Sequence, residues 1–356
     1  MKELEDVLKT FRTAALIASE AVEQCINSGY LLCVDKRRGY NVPVDKKDIR
    51  DPVTTGDIIS FYVIGTIIGN KINAALVNEE KPESESVLYP NGNITDFIES
   101  ILNCEFFDRM RLKYSGHKAL NGLYFDAGEA LGFLARGPNE NLAMMHQNTS
   151  SFAKYGQCVV FDPLDGTNYL MMGSKEYSIP IAFMDEDKVV AALIYSSGAN
   201  KNYSAIINQG AFEDSLGNHK KNNLHVSDTN EISKIVMGIG KRATLEFLEP
   251  FSDAGIKNYR ILPGMTNKIM HVADGRIDAY PSLFDSIGIH DTSAGFLIAK
   301  ECAGIATDKN GDKIVYQRSA FGFEPNSNGL VVSNNQMNHK RIIEITSKMQ
   351  VYDSGL

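Results

Sequence analysis

The chain has 356 residues, a net charge of −8 at neutral pH and no block of basic residues. This length is sufficient for two subdomains, or for one large α/β unit with an ample core. The acidic balance argues against a nucleic acid polymer as partner, because binding to its phosphate backbone needs clustered Lys and Arg side chains. A small polyanion can still bind to an acidic protein if metal ions supply local positive charge.

The cysteines and the apolar segments predict the compartment. Five cysteines are scattered without a Cys-x-x-Cys pair, which is typical of reduced thiols in a cytosolic protein. The first residues, Met1 to Asp6, are acidic early and lack the apolar core of a signal peptide. No apolar run reaches the length of a membrane span. We therefore expect a cytoplasmic protein without a membrane partner; the choice between a monomer and a homodimer stays open.

The N-terminal part begins with two predicted helices and a short strand. Apolar residues recur every three or four positions over 3–27, which predicts an amphipathic helix. A second helix is predicted over 58–69 and a buried strand over 74–77. Residues 81–157 are interpreted as an insertion, part helical and part mobile, with a helix near 94–102. This insertion is predicted to be either a lid or side lobe, or a determinant of substrate size.

From residue 158 onward, short apolar segments predict an antiparallel meander, followed by alternating helices and strands. Strands are predicted over 158–161, 178–184, 189–195 and 203–207, with a tight turn at 185–188. The later elements are helices over 244–251, 266–273 and 291–303 and a strand over 329–333. The pattern predicts a mixed α/β (α+β) fold of layered sheets and helices, divided into subdomains 1–195 and 196–356.

The most informative motif is Asp162-Pro163-Leu164-Asp165-Gly166-Thr167, which follows a predicted strand. Asp162 and Asp165 can face one point in space, with the carbonyl group of Leu164 beside them. Such an all-oxygen site suits a hard divalent cation such as Mg²⁺. The segment after Gly166 can begin a helix, whose free N–H groups and dipole favour a phosphate. A metal ion and a phosphate would then meet at one place.

This hexapeptide resembles the signature of the lithium-sensitive, Mg²⁺-dependent phosphatases. That superfamily contains inositol monophosphatases, inositol polyphosphate 1-phosphatases, 3'(2'),5'-bisphosphate nucleotidases and fructose-1,6-bisphosphatases. The resemblance implies a layered α/β/α/β/α sandwich. It also implies direct hydrolysis of a phosphate monoester by metal-activated water, without a covalent enzyme intermediate.

Three further segments match the superfamily in its order along the chain. Asp57 directly follows Pro-Val-Thr-Thr-Gly, which resembles the corresponding segment of the nucleotidases, and ten residues lie between Lys46 and Asp57. By chemistry alone, Thr54 and Asp57 also predict a helix N-cap box. The pair Glu79-Glu80 follows a predicted strand, and such adjacent carboxylates repel each other unless a cation lies nearby.

The third segment is His-Asp-Thr-Ser-Ala-Gly, which contains Asp291. Two positions depart from the superfamily, because Asn78 replaces a glycine and His290 replaces a tryptophan. His290 either packs in place of the missing ring or binds metal, and packing is the preferred interpretation.

The resemblance implies a site for two or three Mg²⁺ ions. Their ligands would be Glu79, Asp162, the carbonyl group of Leu164, Asp165 and Asp291. Asp57 would hold a metal-bound water, and Glu79 would help to activate the attacking water. Thr167 would orient this water or donate a hydrogen bond to a phosphate oxygen.

The substrate is predicted from residues 266–281, which resemble the nucleotidase run Ser-x-Lys, Ala-x-Gly and Tyr-Pro. This resemblance places Thr266 and Lys268 at the substrate, together with Gly166 and Thr167. Lys268 would neutralise a second phosphate as a point charge, unless it is only a lysine on the helix surface.

The predicted activity is therefore that of a 3'(2'),5'-bisphosphate nucleotidase acting on a small phosphorylated substrate. The first alternative is an inositol monophosphatase or inositol polyphosphate 1-phosphatase, and fructose-1,6-bisphosphatase ranks third. A catalytically silent phosphatase-like binding protein is the alternative of another class, because of the two departures at Asn78 and His290.

Overall fold

The fold is known from a computed structural model. It describes residues 2–28, 33–35, 52–78, 94–115, 127–150, 156–215, 218–241, 243–319 and 322–352. Predictions for Lys46, Glu79 and Glu80 fall outside these residues. No helix in the described ranges is long and apolar enough to cross a membrane.

The described chain is a mixture of helices and strands. The helices are α1 (Lys2–Asn27), α2 (Thr55–Lys71), α3 (Ile94–Ile101), α4 (Cys104–Ser115), α5 (Ala127–Leu134), α6 (Pro138–Ser150), α7 (Thr167–Met171), α8 (Leu245–Asp253), α9 (Met265–Ala273), α10 (Ile289–Glu301) and α11 (Gln336–Thr346). The first strands are β1 (Cys33–Asp35), β2 (Pro52–Thr54), β3 (Ala75–Asn78), β4 (Gln157–Phe161), β5 (Ser178–Asp185), β6 (Lys188–Ser196), β7 (Lys201–Ile206), β8 (Ala211–Ser215) and β9 (Asn218–Asn223). The later strands are β10 (Val236–Ile239), β11 (Asn258–Ile261), β12 (Ala279–Ser282), β13 (Ile305–Thr307), β14 (Arg318–Ser319), β15 (Gly322–Phe323) and β16 (Leu330–Ser333).

Two large sheets organise these strands. The seven-stranded sheet has the order β3-β4-β5-β6-β7-β8-β9, in which only the β3–β4 pair is parallel. The five-stranded sheet has the order β11-β10-β12-β16-β13, and β10 is parallel to both of its neighbours. The predicted division between residues 195 and 196 falls at the end of β6, which pairs with β7 in this sheet, and the two subdomains stay a prediction.

Five layers result from the packing of helices on these sheets. Helices α1 and α2 cover one face of the seven-stranded sheet, and α9 and α10 lie between the two sheets. Helices α8 and α11 cover the outer face of the five-stranded sheet. The layered α/β/α/β/α sandwich that the resemblance implied is therefore confirmed.

The predicted helices and strands are confirmed to within a few residues of their ends. Strands β1, β2 and β8 to β15 and helix α11 were missed. The clearest case is β9, whose sequence Asn-His-Lys-Lys-Asn-Asn has no apolar residue. It is a strand because it pairs with β8 at the sheet edge, and such pairing is not visible in local composition.

The described part of the insertion is almost entirely helical and forms a side lobe on α2. Asn141 of α6 donates a hydrogen bond to the hydroxyl of Tyr62 on α2, at 2.8 Å. A Cβ atom at Gly65 would lie 2.3 Å from the Met145 methyl carbon, so the glycine permits close helix packing. The interpretation as a side lobe fits this packing.

A buried ion pair fastens α1 to the seven-stranded sheet. Arg12 is fully buried and donates to Asp214 at 3.3 Å and to Ser204 at 2.8 Å. Asn202 donates to the other carboxylate oxygen of Asp214, at 3.0 Å. The pair is thus hydrogen-bonded on both sides, as a buried charge requires.

His339 fastens α11 to the five-stranded sheet in a comparable way. Its Nδ1 lies 2.7 Å from the hydroxyl of Ser333 on β16, and its Nε2 lies 2.9 Å from the hydroxyl of Thr307 on β13. Burial lowers the pKa of His339 to about 4, since the neutral ring suits this enclosed place between two hydroxyls.

This pKa predicts a pH dependence of stability. Between pH 6.5 and about 4 the unfolded chain protonates His339 while the folded chain does not. The free energy of unfolding should therefore fall as the pH drops through this window, by up to about 1.4 kcal/mol per pH unit. Above pH 6.5 this contribution should be constant. Urea unfolding at several pH values measures the slope.

The matched variants are His339→Gln and, at an exposed histidine, His225→Gln. The first should be less stable at pH 7 and should lose this part of the slope, whereas the second should behave as the wild type. An unchanged slope in His339→Gln would show that other groups cause the acid sensitivity.

Candidate active site

The candidate site lies at the C-terminal end of β4, beside the first turns of α2, α9 and α10. Asp162 follows β4 directly, and Asp291 lies in the first turn of α10. The loop Pro163 to Gly166 follows Asp162. The hydroxyl of Ser60 on α2 donates a hydrogen bond to the carbonyl group of Pro163 in this loop, at 2.6 Å.

Three predicted metal ligands come together here. Asp162, Asp165 and Asp291 each offer a carboxylate oxygen, and these three atoms lie within 4.8 Å of one another. Asp162 and Asp165 are buried and Asp291 is half-buried. Buried carboxylates this close repel one another strongly unless a cation compensates them. An all-oxygen donor set of this kind fits a hard divalent cation such as Mg²⁺.

The loop after β4 aims the donors by local hydrogen bonds. One carboxylate oxygen of Asp162 accepts from the backbone N–H of Leu164, at 2.8 Å. The carbonyl group of Leu164 lies 2.9 Å from the hydroxyl of Thr167. That hydroxyl also lies 3.0 Å from a carboxylate oxygen of Asp57, and its single proton can be donated to either acceptor.

The two carboxylate oxygens of Asp57 make different hydrogen bonds. Its Oδ2 accepts from the backbone N–H and the hydroxyl of Thr54, at 2.7 and 2.5 Å, and completes the N-cap box of α2. Its Oδ1 is the oxygen that faces Thr167. The predicted cap is therefore confirmed, and the same carboxylate is directed at the motif.

Asp165 is held by the N-terminus of α9. Its carboxylate accepts from the backbone N–H groups of Met265 and Thr266, at 3.2 and 2.8 Å. The unpaired N–H groups and the dipole of a helix N-terminus stabilise a negative charge. The helix predicted after Gly166 is confirmed as the five-residue α7, and a phosphate at its N-terminus stays a prediction. The nine-residue helix α9 supports a predicted metal ligand.

Gly264 makes this approach possible. Its φ is +59°, and a Cβ atom there would lie 2.4 Å from Oδ2 of Asp165. A side chain at this position would push the carboxylate away from the α9 N-terminus.

Gly166 also has a positive φ, of +108°, which turns the chain from the motif into α7. The substrate contact predicted for Gly166 stays a prediction.

Lys268 lies inside the site rather than on the helix surface. It is only 6% exposed, and its ammonium group donates to the carbonyl groups of Gly264 and Leu262 and lies over the ring of Tyr280. Burial lowers its pKa to about 8, while the carboxylates of Asp165 and Asp291 raise it. The lysine therefore adds one positive charge on the metal side of the site.

Thr266 connects two of the ligand segments. It is fully buried, and its hydroxyl donates to the carbonyl group of Asp291, at 3.0 Å, while its N–H donates to Asp165. The structure thus gives Thr266 a positioning role; its predicted contact with substrate stays a prediction.

His290 packs against its own helix N-terminus. Its ring lies so close to Gly288 that a Cβ atom there would be 2.3 Å from the ring. Its Nε2 is 3.5 Å from a carboxylate oxygen of Asp291. The ring is thus packed and also borders a predicted metal ligand.

A cavity of about 270 Å³ opens beside these residues. Its inner end has the three carboxylates and Lys268, and Gly166, Thr167, Tyr169, Gly240, Lys241, Leu262, Met265 and Phe284 complete much of its wall. None of its lining residues that the structure describes belongs to the insertion 81–157.

Sequence reasoning missed Gly264, Tyr169 and Lys241. Gly264 just before the predicted helix 266–273 was the available signal, because such a glycine often permits close approach.

The comparison with protein families decides the identity. The model of the inositol monophosphatase family matches residues 134–350, which include the motif at Asp162, Lys268 and Asp291. The chain belongs to the inositol monophosphatase family. Members of this family are metal-dependent phosphatases, and the donor set of the site agrees with that chemistry.

Several curated proteins are distant relatives of this chain. The bifunctional NADP phosphatase/NAD kinase of Methanococcus maripaludis is 24% identical over 52% of this chain and 35% of its own length. The fructose-1,6-bisphosphatase/inositol-1-monophosphatase of Thermotoga maritima is 24% identical over 60% of this chain and 75% of its own. The 3'(2'),5'-bisphosphate nucleotidase CysQ of Aggregatibacter actinomycetemcomitans is 25% identical over 47% and 61%.

Solved structures support the same fold. Extragenic suppressor protein SuhB of Bartonella henselae has a TM-score of 0.62 at 16% identity, covering 96% of this chain and 98% of its own. An IMPase/NADP phosphatase complexed with Mg²⁺ and phosphate has a TM-score of 0.60 at 17% identity, covering 94% and 92%. At this identity, the likeness establishes the fold alone.

The approach of Gly264 to Asp165 leads to a testable prediction. In Gly264→Ala, the added methyl group should displace the Asp165 carboxylate and weaken Mg²⁺ binding about tenfold or more. Isothermal titration with Mg²⁺ measures the affinity, and circular dichroism checks the fold.

Gly137→Ala is the matched control, because Gly137 has a φ of +99° and no atom within 4 Å of an added Cβ. It also places a side chain at a positive φ, but without the contact. Equal Mg²⁺ affinity in Gly264→Ala and Gly137→Ala would contradict the assignment.

Proposed function

We propose that this phosphatase hydrolyses a phosphate monoester on a small polyphosphorylated molecule with two or three Mg²⁺ ions. The observation that carries the proposal is the cluster of Asp162, Asp165 and Asp291 at one end of a cavity. These carboxylates, the Leu164 carbonyl group and Glu79 would hold the metal. Bound there, Mg²⁺ would supply Lewis-acid stabilisation and lower the pKa of a coordinated water.

The residues around the cluster have separate tasks in this proposal. Of its two acceptors, Thr167 would donate its proton to Asp57 and leave the Leu164 carbonyl group to the metal, so that the lone pairs of Thr167 could orient the attacking water. Asp57 is fixed by Thr54 and cannot turn away, which keeps this contact aligned. Lys268 compensates negative charge at the inner end of the cavity, where the phosphate would add more.

The substrate that we propose is a nucleoside 3'(2'),5'-bisphosphate, such as adenosine 3',5'-bisphosphate. The nucleotidase-like run at 266–281 supports it, and so does the similarity to a bisphosphate nucleotidase and to an NADP phosphatase. An inositol phosphate is the alternative, favoured by the similarity to a fructose-1,6-bisphosphatase/inositol-1-monophosphatase. A silent binding protein is the alternative of another class, because His290 borders Asp291.

The variant Asp162→Asn tests the site. The amide oxygen can still accept from the backbone N–H of Leu164, so the loop should keep its shape. Losing the negative charge should reduce turnover by about a hundredfold or more, because a metal ligand is weakened. Phosphate release with saturating substrate and Mg²⁺ measures the effect.

Asp308→Asn is the control, since Asp308 is also buried and accepts from the backbone N–H groups of Asn310 and Asp312. It should retain wild-type turnover. Full activity in Asp162→Asn would refute the site. If the wild type binds phosphorylated ligands only with Mg²⁺ but releases no phosphate, the binding protein is the better explanation.

A substrate panel tests the proposed specificity. Phosphate release with Mg²⁺ should be fastest from adenosine 3',5'-bisphosphate and slower from inositol 1,4-bisphosphate, inositol 1-phosphate and fructose 1,6-bisphosphate. Addition of Li⁺ should inhibit the release, as in the superfamily that the motif resembles. Preference for an inositol phosphate would agree with the proposed site and would contradict the proposed substrate.

A further inference from the structure

The first turn of α10 carries Asp291, a predicted metal ligand, and contacts with other elements hold this turn. The N-cap residue of α10 is Gly288, which has no side chain to accept a hydrogen bond from the first N–H groups of the helix. From α9, the hydroxyl of Thr266 donates to the carbonyl group of Asp291, at 3.0 Å. The position of the Asp291 carboxylate therefore depends on parts of the chain outside α10.

The chain between β13 and β16 provides further contacts with the start of α10. Asn326 exchanges two backbone hydrogen bonds with Ile287, just before the helix, each of 2.9 Å. The ring of Tyr316 stacks on the ring of Phe296 in α10, with the ring centres 6.4 Å apart. This part of the chain thus contacts residues both before and after the first turn of α10.

Tyr316 also reaches the first turn itself. Its hydroxyl lies 3.0 Å from the hydroxyl of Thr292, the residue next to Asp291. The Thr292 hydroxyl donates its only proton to the carbonyl group of Gly288, at 2.9 Å. Burial, and next the charge of Asp291, raise the pKa of Tyr316, so its hydroxyl keeps its proton. Tyr316 is therefore the donor to Thr292, and two hydrogen bonds connect it to the N-cap residue of α10.

The ring of Tyr316 has a firm support of its own. It packs against an apolar cluster formed by β3, β4, Met184 of β5 and Ile289, and its edge meets the ring of Phe323, with the centres 6.4 Å apart. Because a tyrosine side chain has only two torsion angles, packing of the ring also fixes the place of the hydroxyl. Strand β4 leads directly to Asp162. Tyr316 thus connects the strand before one predicted metal ligand with the helix turn that carries another.

We propose that Tyr316 is a positioning residue, which fixes the Asp291 carboxylate relative to Asp162 and Asp165 through its hydrogen bond to Thr292. The inference rests on the proposed function, because it concerns how the site binds the Mg²⁺ ions. Tyr316 is not among the residues that line the cavity, so it acts through α10 rather than by contact with a substrate.

The variant Tyr316→Phe tests this role, because it removes the hydroxyl and keeps the ring. Isothermal titration without substrate should give about fivefold weaker Mg²⁺ binding, somewhat less than the loss of a direct hydrogen-bond partner of a metal ligand causes. The affinity for Ca²⁺ should fall by no more than about twofold, because Ca²⁺ accepts flexible oxygen coordination, whereas Mg²⁺ requires near-ideal octahedral geometry. The ratio of Mg²⁺ to Ca²⁺ affinity should therefore fall. Partial unfolding alone would reduce both affinities equally.

Thr292 offers the matched variants. Thr292→Ser keeps the hydroxyl and should retain the wild-type ratio of Mg²⁺ to Ca²⁺ affinity, whereas Thr292→Val should lower this ratio as Tyr316→Phe does. The double variant Tyr316→Phe/Thr292→Val should lose no more than Thr292→Val alone, because both changes break the same pair of hydrogen bonds.

Tyr259→Phe is the control for the loss of a tyrosine hydroxyl. Tyr259 is also half-buried, its hydroxyl donates to the carbonyl group of Ile256 at 2.6 Å, and it does not line the cavity. This variant should keep the wild-type ratio of affinities even if its free energy of unfolding is lower.

A wild-type ratio of affinities in Tyr316→Phe would overturn the inference, and so would additive losses in the double variant. Phosphate release from the substrate panel is measured separately. If the wild type binds Mg²⁺ but releases no phosphate, the proposed hydrolysis fails, and the titrations still decide the role of Tyr316. If the wild type binds no Mg²⁺, the metal site and this inference are refuted together.

Discussion

The repulsion among closely spaced carboxylates is the constraint on which the structure of this site depends. Asp162, Asp165 and Asp291 bring three negative charges within 4.8 Å in a largely buried place. Without compensation such a cluster would destabilise the fold. Backbone N–H groups and one buried lysine compensate part of this negative charge. The carboxylates also form an oxygen donor set that can bind a divalent cation. The donor set that results fits the divalent cation that we propose for this site.

The layered fold delivers these groups from distant parts of the chain. The parallel neighbours β3 and β4 bring the motif to one sheet edge, and α2 contributes Asp57 to the same place. Helices α9 and α10 lie between the sheets, so their first turns meet the motif from the other side. Each donor thus comes from an element whose position is set by a large apolar core. Rigid support of this kind keeps metal ligands in place without the metal itself having to organise the chain.

The inner and the outer end of the cavity differ in their chemistry. The inner end, made of the carboxylates, Thr167 and Lys268, has chemistry common to the hydrolysis of any phosphate monoester. The outer end is made by loops after β10, β11 and β12, which can change without disturbing the sheets that carry the metal ligands. A division of this kind would let a phosphatase change its substrate while the fold is retained, and the relatives do differ in this respect, one being an NADP phosphatase and another an inositol-1-monophosphatase.

Much of this protein was predictable from its sequence, because the strongest signals are local. The amphipathic period of α1, the strand and turn around Asp162, and the cap formed by Thr54 and Asp57 depend on residues close in the chain. Three other features depend on partners far away in sequence. They are the polar strand β9, the hydrogen bonds from the N-terminus of α9 to Asp165, and the position of Lys241. Local composition carries no information on such partners. The sequence alone thus determined the chemistry of the predicted metal ligands, whereas the tertiary structure decided which groups support them and which side chains line the cavity beside them.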